Sequence, residues 1–254
     1  MCIRDSYGGA GNDLLSGGSG SDTINGGGGL DLIYGGAGTD LVYAGGGVDT
    51  VFGGGGADSL QAQGGNDLVF GGTGSDFIYG SSGTDVIYGG AGNDIIDGDQ
   101  GSTFFGFFPV AGSGNDTLFG GSGNDIIYGG DGDDMIYGGL GGDSMVGGDD
   151  ADTFVYTSAA ESNGPVLVSA DLIAFFDEDE DFIDVSAIDA DDTTPGDQAF
   201  TVVTAFTGTA GELVISVTGA STWTIFADTN GDTSADLTIF GLAGEIPNAG
   251  NIVL

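Results

Sequence analysis

The chain has 254 residues, of which 39 are acidic, one is basic and none is histidine, for a formal net charge of −38. Such a charge repels nucleic acid and anionic membrane surfaces. With no histidine and a single cysteine, Cys2, it excludes a His-based zinc site, a Ser-His-Asp triad and an internal disulfide, and no run of about 18 apolar residues offers a membrane-spanning helix.

The first residues, Met1-Cys2-Ile3-Arg4-Asp5-Ser6, hold the only cysteine and the only basic residue. They are too short and too polar for a secretory signal. Residues 1–7 therefore read as an unmatched leader, such as a sequence-assembly artefact joined to a gene fragment. The repeats that follow begin without a capping element, and repeat arrays need a cap at each end. A further domain upstream is the expectation.

From Gly8 a nine-residue unit runs in register to Asp97, resumes at Ala111 and continues to Val155, giving fifteen copies. It reads Gly-Gly-x-Gly-x-Asp followed by three strand-type residues. The sixth position is always aspartate: Asp13, Asp22, Asp31, Asp40, Asp49, Asp58, Asp67, Asp76, Asp85, Asp94, Asp116, Asp125, Asp134, Asp143 and Asp152. The eighth is always large and apolar, from Leu15 and Ile24 through Met145 and Phe154. A fixed period with one invariant charge and one invariant apolar residue means a repeat architecture.

The first six positions carry turn chemistry, because glycine tolerates positive φ. The last three carry strand chemistry, with position eight facing one way and positions seven and nine the other. Stacked units bury one residue per repeat, a thin core for so much ordered glycine backbone. Stacking also sets aspartates about 4.8 Å apart, where like charges repel. A hard divalent cation removes both problems. Ca²⁺ takes six to eight oxygen ligands, and a glycine turn with an aspartate supplies carboxylate and carbonyl oxygens.

The unit resembles the repeats-in-toxin (RTX) nonapeptide, over residues 8–157. The resemblance implies an all-β fold, a right-handed parallel β-roll with two nonapeptides per coil and Ca²⁺ between turns one coil apart. All fifteen aspartates become metal ligands, paired as Asp13 with Asp31, Asp22 with Asp40, and onward. That gives eight sites in the first block of repeats and three in the second.

Several copies depart from the pattern. Ala62-Gln63 replaces the leading glycine pair, Ser81 the second glycine and Asp150 the fourth-position glycine. The sites near Gln63 and Asp150 are expected to be the weakest. At position nine, Tyr34, Phe52, Phe70 and Tyr88 recur every eighteen residues, and Tyr43 and Tyr79 hold the same position in alternate units. Each set predicts an outer row. Such rows either stabilise the sheet by cross-strand stacking or bind a sugar or surface. The insertion, residues 98–110, carries Phe104, Phe105, Phe107 and Phe108. It is expected to fold over the roll or a neighbour, or to bind a partner.

After Tyr156 glycine thins out. Leu213–Val217, Thr222–Phe226 and Leu237–Phe240 read as strands. The last two flank Asp228–Asp236, whose Asn230-Gly231 signals a hairpin. That stretch also partly imitates a calcium loop, but has Thr233 at the sixth position and Ile239 at the twelfth, and a plain hairpin is favoured. Asp171–Phe176, Asp181–Ala190, Gly211-Glu212-Leu213 and the hairpin are similar, in order, to the C-terminal region of serralysin-type secreted proteins. That likeness implies that residues 158–254 form a β-rich cap with an uncleaved type I secretion signal. The tail Asn251-Ile252-Val253-Leu254 keeps the family's apolar end without its acidic residue.

These readings predict a calcium-binding, extracellular module that folds on meeting Ca²⁺ after passing the type I secretion machinery, with no catalytic site of its own. Family members carry enzymes such as proteases upstream. The alternative is an adhesion or polysaccharide-binding module that uses the aromatic rows.

Overall fold

A unit with one large apolar residue in nine can close a core only by stacking on copies of itself. The computed structural model describes residues 5–98, 114–162, 170–190, 198–219, 221–242 and 244–254. Strand Leu32–Ala37 pairs in parallel with Thr50–Gly55, placing Ile33 opposite Val51 and Gly36 opposite Gly54. Strand Thr23–Gly28 pairs in the same way with Leu41–Gly46. Partners lie two units apart, and alternate units enter opposite sheets, one of 13 strands and one of ten. The fold is an all-β parallel β-roll with two nonapeptides per coil. Position-eight residues from both sheets form one continuous core, from Ile24 to Phe154.

The strands are longer than the sequence indicates. Leu32–Ala37 has six residues, positions seven through three, because the leading glycines join the ladder in register with the next coil. The turn proper shrinks to positions four to six. There Gly29 N–H donates to Gly46 O at 2.8 Å, and Thr50 N–H donates to Asp31 O at 2.9 Å. At Gly47, in position four, a side chain is excluded twice over: its φ is 132°, and a Cβ on it would collide with the Gly29 carbonyl. The departures from glycine adopt positive φ all the same, Gln63 at 79°, Ser81 at 80° and Asp150 at 74°. That conformation carries a cost for non-glycine residues, and stacking neighbours hold them in it.

Two expected boundaries move. Part of the leader belongs to the roll: Asp5–Ala10 is a strand with Ser6 opposite Ile24 and Tyr7 opposite Asn25. Backbone pairing needs no particular side chain, so a polar segment can take that place. Gly98, at the start of the predicted insertion, takes the leading-glycine place against Asp116 and the Gly129 carbonyl. The four phenylalanines of the insertion lie outside the described residues.

Beyond Val155 both sheets continue. Asp171–Ala174 adds to Ser144–Asp149 on one, and Phe182–Asp184 adds to Thr153–Val155 on the other. The larger sheet then passes through Leu237–Leu242 into an antiparallel meander with Thr222–Asp228 and Glu212–Gly219, and ends at Thr201–Val203. These include the three strands expected from period-two patterns. The smaller sheet ends at Ile252–Val253. Phe154, the last position-eight residue, lies 6.3 Å from Phe176, which meets the Trp223 ring edge-on at 5.7 Å. Roll and cap thus share one core. Among the described residues no helix is long and apolar enough to cross a membrane.

Candidate metal centre

The parallel register fixes where the aspartates go. Side chains at positions six, eight and one point inward, so each Asp sits beside the core, one coil above its equivalent. The N–H of Asp13 donates to Oδ1 of Asp31 at 2.8 Å, and the N–H of Asp22 donates to Oδ1 of Asp40 at 2.9 Å. The same bond repeats up both columns, through Asp49, Asp67 and Asp85 on one and Asp58, Asp76 and Asp94 on the other. All fifteen predicted ligands lie on these two ladders. Asp13 is half-buried and the other fourteen are buried.

The insertion does not interrupt them. Asp85 N–H donates to Asp116 and Asp94 N–H to Asp125, each at 2.7 Å. The columns then run through Asp134, Asp143 and Asp152. The expected division of the array into two separate blocks is therefore corrected: the boundary is bridged, and pairs form across it. Nor do the ladders end with the last unit. Asp143 N–H donates to Asp171 Oδ1 at 2.8 Å, and Asp152 N–H to Asp181 Oδ1 at 3.1 Å. Sequence reasoning missed both, although Asp171-Leu172-Ile173 and Asp181-Phe182-Ile183 keep the Asp-x-apolar core of the unit. Their glycines are gone and the spacing stretches to 28 and 29 residues.

Oδ2 is the atom left over: at Asp13, Asp22, Asp31, Asp40, Asp49, Asp58, Asp67, Asp76, Asp85, Asp94, Asp125, Asp143 and Asp152 it is buried without a hydrogen-bond partner. It borders a space closed to a methyl group. A Cβ built on Gly17 would lie 2.6 Å from Asp22 Oδ2 and 2.7 Å from the Gly35 carbonyl of the next coil, and one on Gly71 would lie 2.7 Å from Asp76 Oδ2 and 2.5 Å from Gly89 O. Where glycine holds position one, it keeps a small oxygen-bordered hollow open beside the aspartate. Ala44 and Ala62 occupy that position in the repeats of Asp49 and Asp67, each bringing a buried methyl.

Burial makes these groups poor anions. It pushes Asp58, Asp85, Asp94 and Asp143 up to about 6, Asp67 and Asp125 to about 7, and Asp152 to about 9. Asp40, Asp49 and Asp76 are raised for the same reason. The N–H from the preceding coil opposes the rise, and ladder neighbours add to it at Asp58, Asp67, Asp125 and Asp152. Unpaired buried carboxylates are strongly destabilising. The chain's one basic residue, Arg4, cannot serve two columns of them.

These groups fit a hard cation. The unpartnered atoms are carboxylate oxygens, and backbone carbonyl oxygens of the next coil lie beside them. Among the described residues no three His, Cys, Asp or Glu side chains converge as a metal-holding cluster; the aspartates meet only as ladder neighbours. The hairpin at Asp228 is different in kind. Its Oδ1 accepts from Asn230 and Gly231 N–H and its Oδ2 from Thr233 N–H, while Asp236 accepts from Thr229. The loop consumes its own carboxylates, as a plain hairpin does.

The aromatic row is longer than expected. Tyr34, Phe52, Phe70, Tyr88, Phe119 and Tyr137 stack in one file, with centroids 4.4 to 5.0 Å apart and planes within 18°. Ring faces are turned on one another, which favours the sheet-stabilising role. Tyr43 and Tyr79 form no row, because Gln61 stands between them in register.

Comparison with known proteins finds a family match and a likeness among solved structures. The family model of the RTX calcium-binding nonapeptide repeat matches residues 7–42, 43–78, 70–105, 110–145 and 136–156. Among solved structures, the chain is similar to the solution structure of the AlgE6R3 subunit from the Azotobacter vinelandii mannuronan C5-epimerase. Identity is 26%, coverage is 68% of this chain and 79% of that one, and the TM-score is 0.34. No curated protein matches. The matched repeats span more than half of the chain, which belongs to the RTX calcium-binding nonapeptide repeat family.

Proposed function

We propose that the chain is a calcium-operated folding module of an exported protein. Ca²⁺ binds between successive coils at Asp13, Asp22 and their thirteen equivalents, neutralising the carboxylates that the fold stacks beside its core. The single observation that carries this reading is the unpartnered Oδ2 that recurs along both ladders, at Asp22, Asp31, Asp40, Asp49, Asp58, Asp67 and onward to Asp143 and Asp152, in a chain with almost no positive charge. The remaining ligands are carbonyl oxygens of the glycine turns. Cation binding requires the carboxylates ionised and close together, which only the folded roll provides, so binding free energy becomes folding free energy.

That linkage supplies a direction of travel. In a compartment poor in calcium the chain, at net charge −38, repels itself and stays extended. An extended chain can thread the channel of a type I secretion system. Outside the cell, millimolar calcium drives the fold. Membership of the RTX family supports an extracellular destination, and the protein's role there is to fold on arrival rather than to catalyse.

Far-ultraviolet circular dichroism of the chelator-stripped protein at neutral pH tests this. Addition of calcium converts a largely disordered spectrum into a β-sheet spectrum, cooperatively and reversibly. A full β-sheet spectrum in excess chelator, unmoved by calcium, overturns the coupling.

A further inference from the structure

The two outer faces of the roll are not alike. Positions seven, nine and two of each strand turn outward, so each sheet shows three columns along the roll axis. On the ten-stranded sheet, column nine is the aromatic file from Tyr34 to Tyr137. Beside it, column two is glycine, with Gly36, Gly54, Gly72, Gly90, Gly121 and Gly139 in register. On the other flank, column seven holds Leu32, Leu68, Val86 and Met135, with Thr50 and Thr117 among them. None of these positions carries a charge, in a chain of net charge −38. The thirteen-stranded sheet breaks all three columns. Gln61 and Asp97 interrupt its aromatics, Gln63 and Ser81 stand in column two, and Ser59 stands in column seven.

The backbone alone does not impose glycine in column two, because Gln63 and Ser81 occupy that position at φ 79° and 80°. The ten-stranded face therefore keeps a ridge of ring edges beside an open trough. It is also flat: consecutive ring planes from Tyr34 to Phe119 differ by only 4° to 6°, against the roughly 20° twist usual between neighbouring strands. An uncharged apolar face of this extent marks an interaction surface.

We infer that two copies of this chain dimerise through this face, each seating its aromatic ridge in the other's glycine trough. Ridge and trough are adjacent columns of one surface, so the surface is complementary to itself. A two-fold axis parallel to the roll axis, midway between columns nine and two, makes both contacts at once, as an isologous interface requires. From Leu32–Ala37 to Met135–Leu140 the face is about 29 Å tall and about 20 Å wide. Two copies then cover about 1,200 Å², above the roughly 1,000 Å² that a specific interface needs. The ladder aspartates point inward, so the approach sets no like charges in contact. The dimer requires the folded roll and is independent of what fills the ladders.

Sedimentation velocity and light scattering of the full chain in saturating calcium test this, with dichroism verifying the fold of each variant. The wild type is expected to show a species of twice the chain mass, in equilibrium with monomer. Gly72→Gln fills the trough with the residue that Gln63 already places at the same position of the other sheet, so the fold accommodates it. Leu68→Lys sets a charge on the face. Each is expected to raise the dimer dissociation constant by at least about tenfold. Phe77→Lys makes the same change in column seven of the thirteen-stranded sheet, where Phe77 is exposed, and is expected to stay within about twofold of wild type. A wild type that stays monomeric up to about 100 µM, well beyond the micromolar range of such interfaces, overturns the proposal. So does a dimer weakened by Phe77→Lys and untouched by Gly72→Gln and Leu68→Lys. If Leu68→Lys does not fold, an unshifted dimer in Gly72→Gln is enough to overturn it. A monomeric wild type that binds a polysaccharide, with binding lost in Gly72→Gln, also overturns it and gives the face to the adhesive role.

Discussion

The amide of Asp94 donates to the carboxylate of Asp125 at 2.7 Å, across 31 residues of sequence rather than 18. The ladder closes over the insertion as though it were absent. Gly98 explains how: it stands as the leading glycine for Asp116, and Gly114 takes the fourth-position place against the Gly83 carbonyl. Deleting residues 99–111 joins Gly98 to Gly112 and restores Gly-Gly-Ser-Gly-Asn-Asp. The shortened protein is expected to keep its calcium-dependent dichroism transition, with a midpoint within about twofold of wild type. Loss of the transition would show that the insertion supports the roll directly.

The hollow beside each aspartate can be filled or opened by one methyl. Gly71→Ala places a Cβ against Gly89 O and Asp76 Oδ2, and is expected to cost one bound calcium and about 1–3 kcal/mol of stability. Ala44→Gly removes the methyl beside Asp49 and is expected to gain calcium affinity there. Native mass spectrometry and calcium-saturated urea melts read both. Equal calcium counts in Gly71→Ala, Ala44→Gly and wild type would place the cation elsewhere.

Protons should partly replace calcium. A carboxylate whose folded pKa lies above its ordinary value binds its proton more readily in the fold than in the unfolded chain. Its contribution is complete below the ordinary value of 3.8 and is lost as pH rises through the folded value, here about 6 at Asp58 and about 9 at Asp152. The metal-free protein is therefore expected to lose β-sheet dichroism as pH is raised from 5 to 9, roughly the span of those shifts. Saturating calcium should abolish the dependence. A metal-free spectrum that strengthens with rising pH contradicts the burial of these groups.

The aromatic file should contribute stability without touching metal. Phe70 stacks on Phe52 and Tyr88, both at 4.9 Å. Phe70→Ala is expected to lower stability by about 2–4 kcal/mol in calcium-saturated denaturant melts, with unchanged calcium stoichiometry. A stable variant that loses binding to a polysaccharide would instead favour the adhesive role.

Much of this was legible in the sequence because the unit repeats without error where the chemistry is strict. Asp at position six and an aliphatic at position eight gave the ladders and the core. Position one was harder to read: Gly and Ala look interchangeable in composition, and only the stacked coils reveal that a methyl there meets a carboxylate. Asp171 and Asp181 were hidden for another reason. The cap keeps Asp-x-apolar but supplies its turns by other means, so the glycines that announce a unit are missing. The leader was misjudged because parallel backbone pairing accepts Asp5-Ser6-Tyr7 as readily as Gly-rich repeats. The length of the aromatic file followed from the bridged insertion, which spacing alone concealed.

The most direct measurement is a crystal structure of the protein grown in calcium, with anomalous data to identify the ion. Anomalous peaks within coordination distance of Oδ2 of the stacked aspartates, shared between neighbouring coils, are the expected result. Carboxylates that instead meet only water or protein, with calcium confined to the outer surface, would contradict the account.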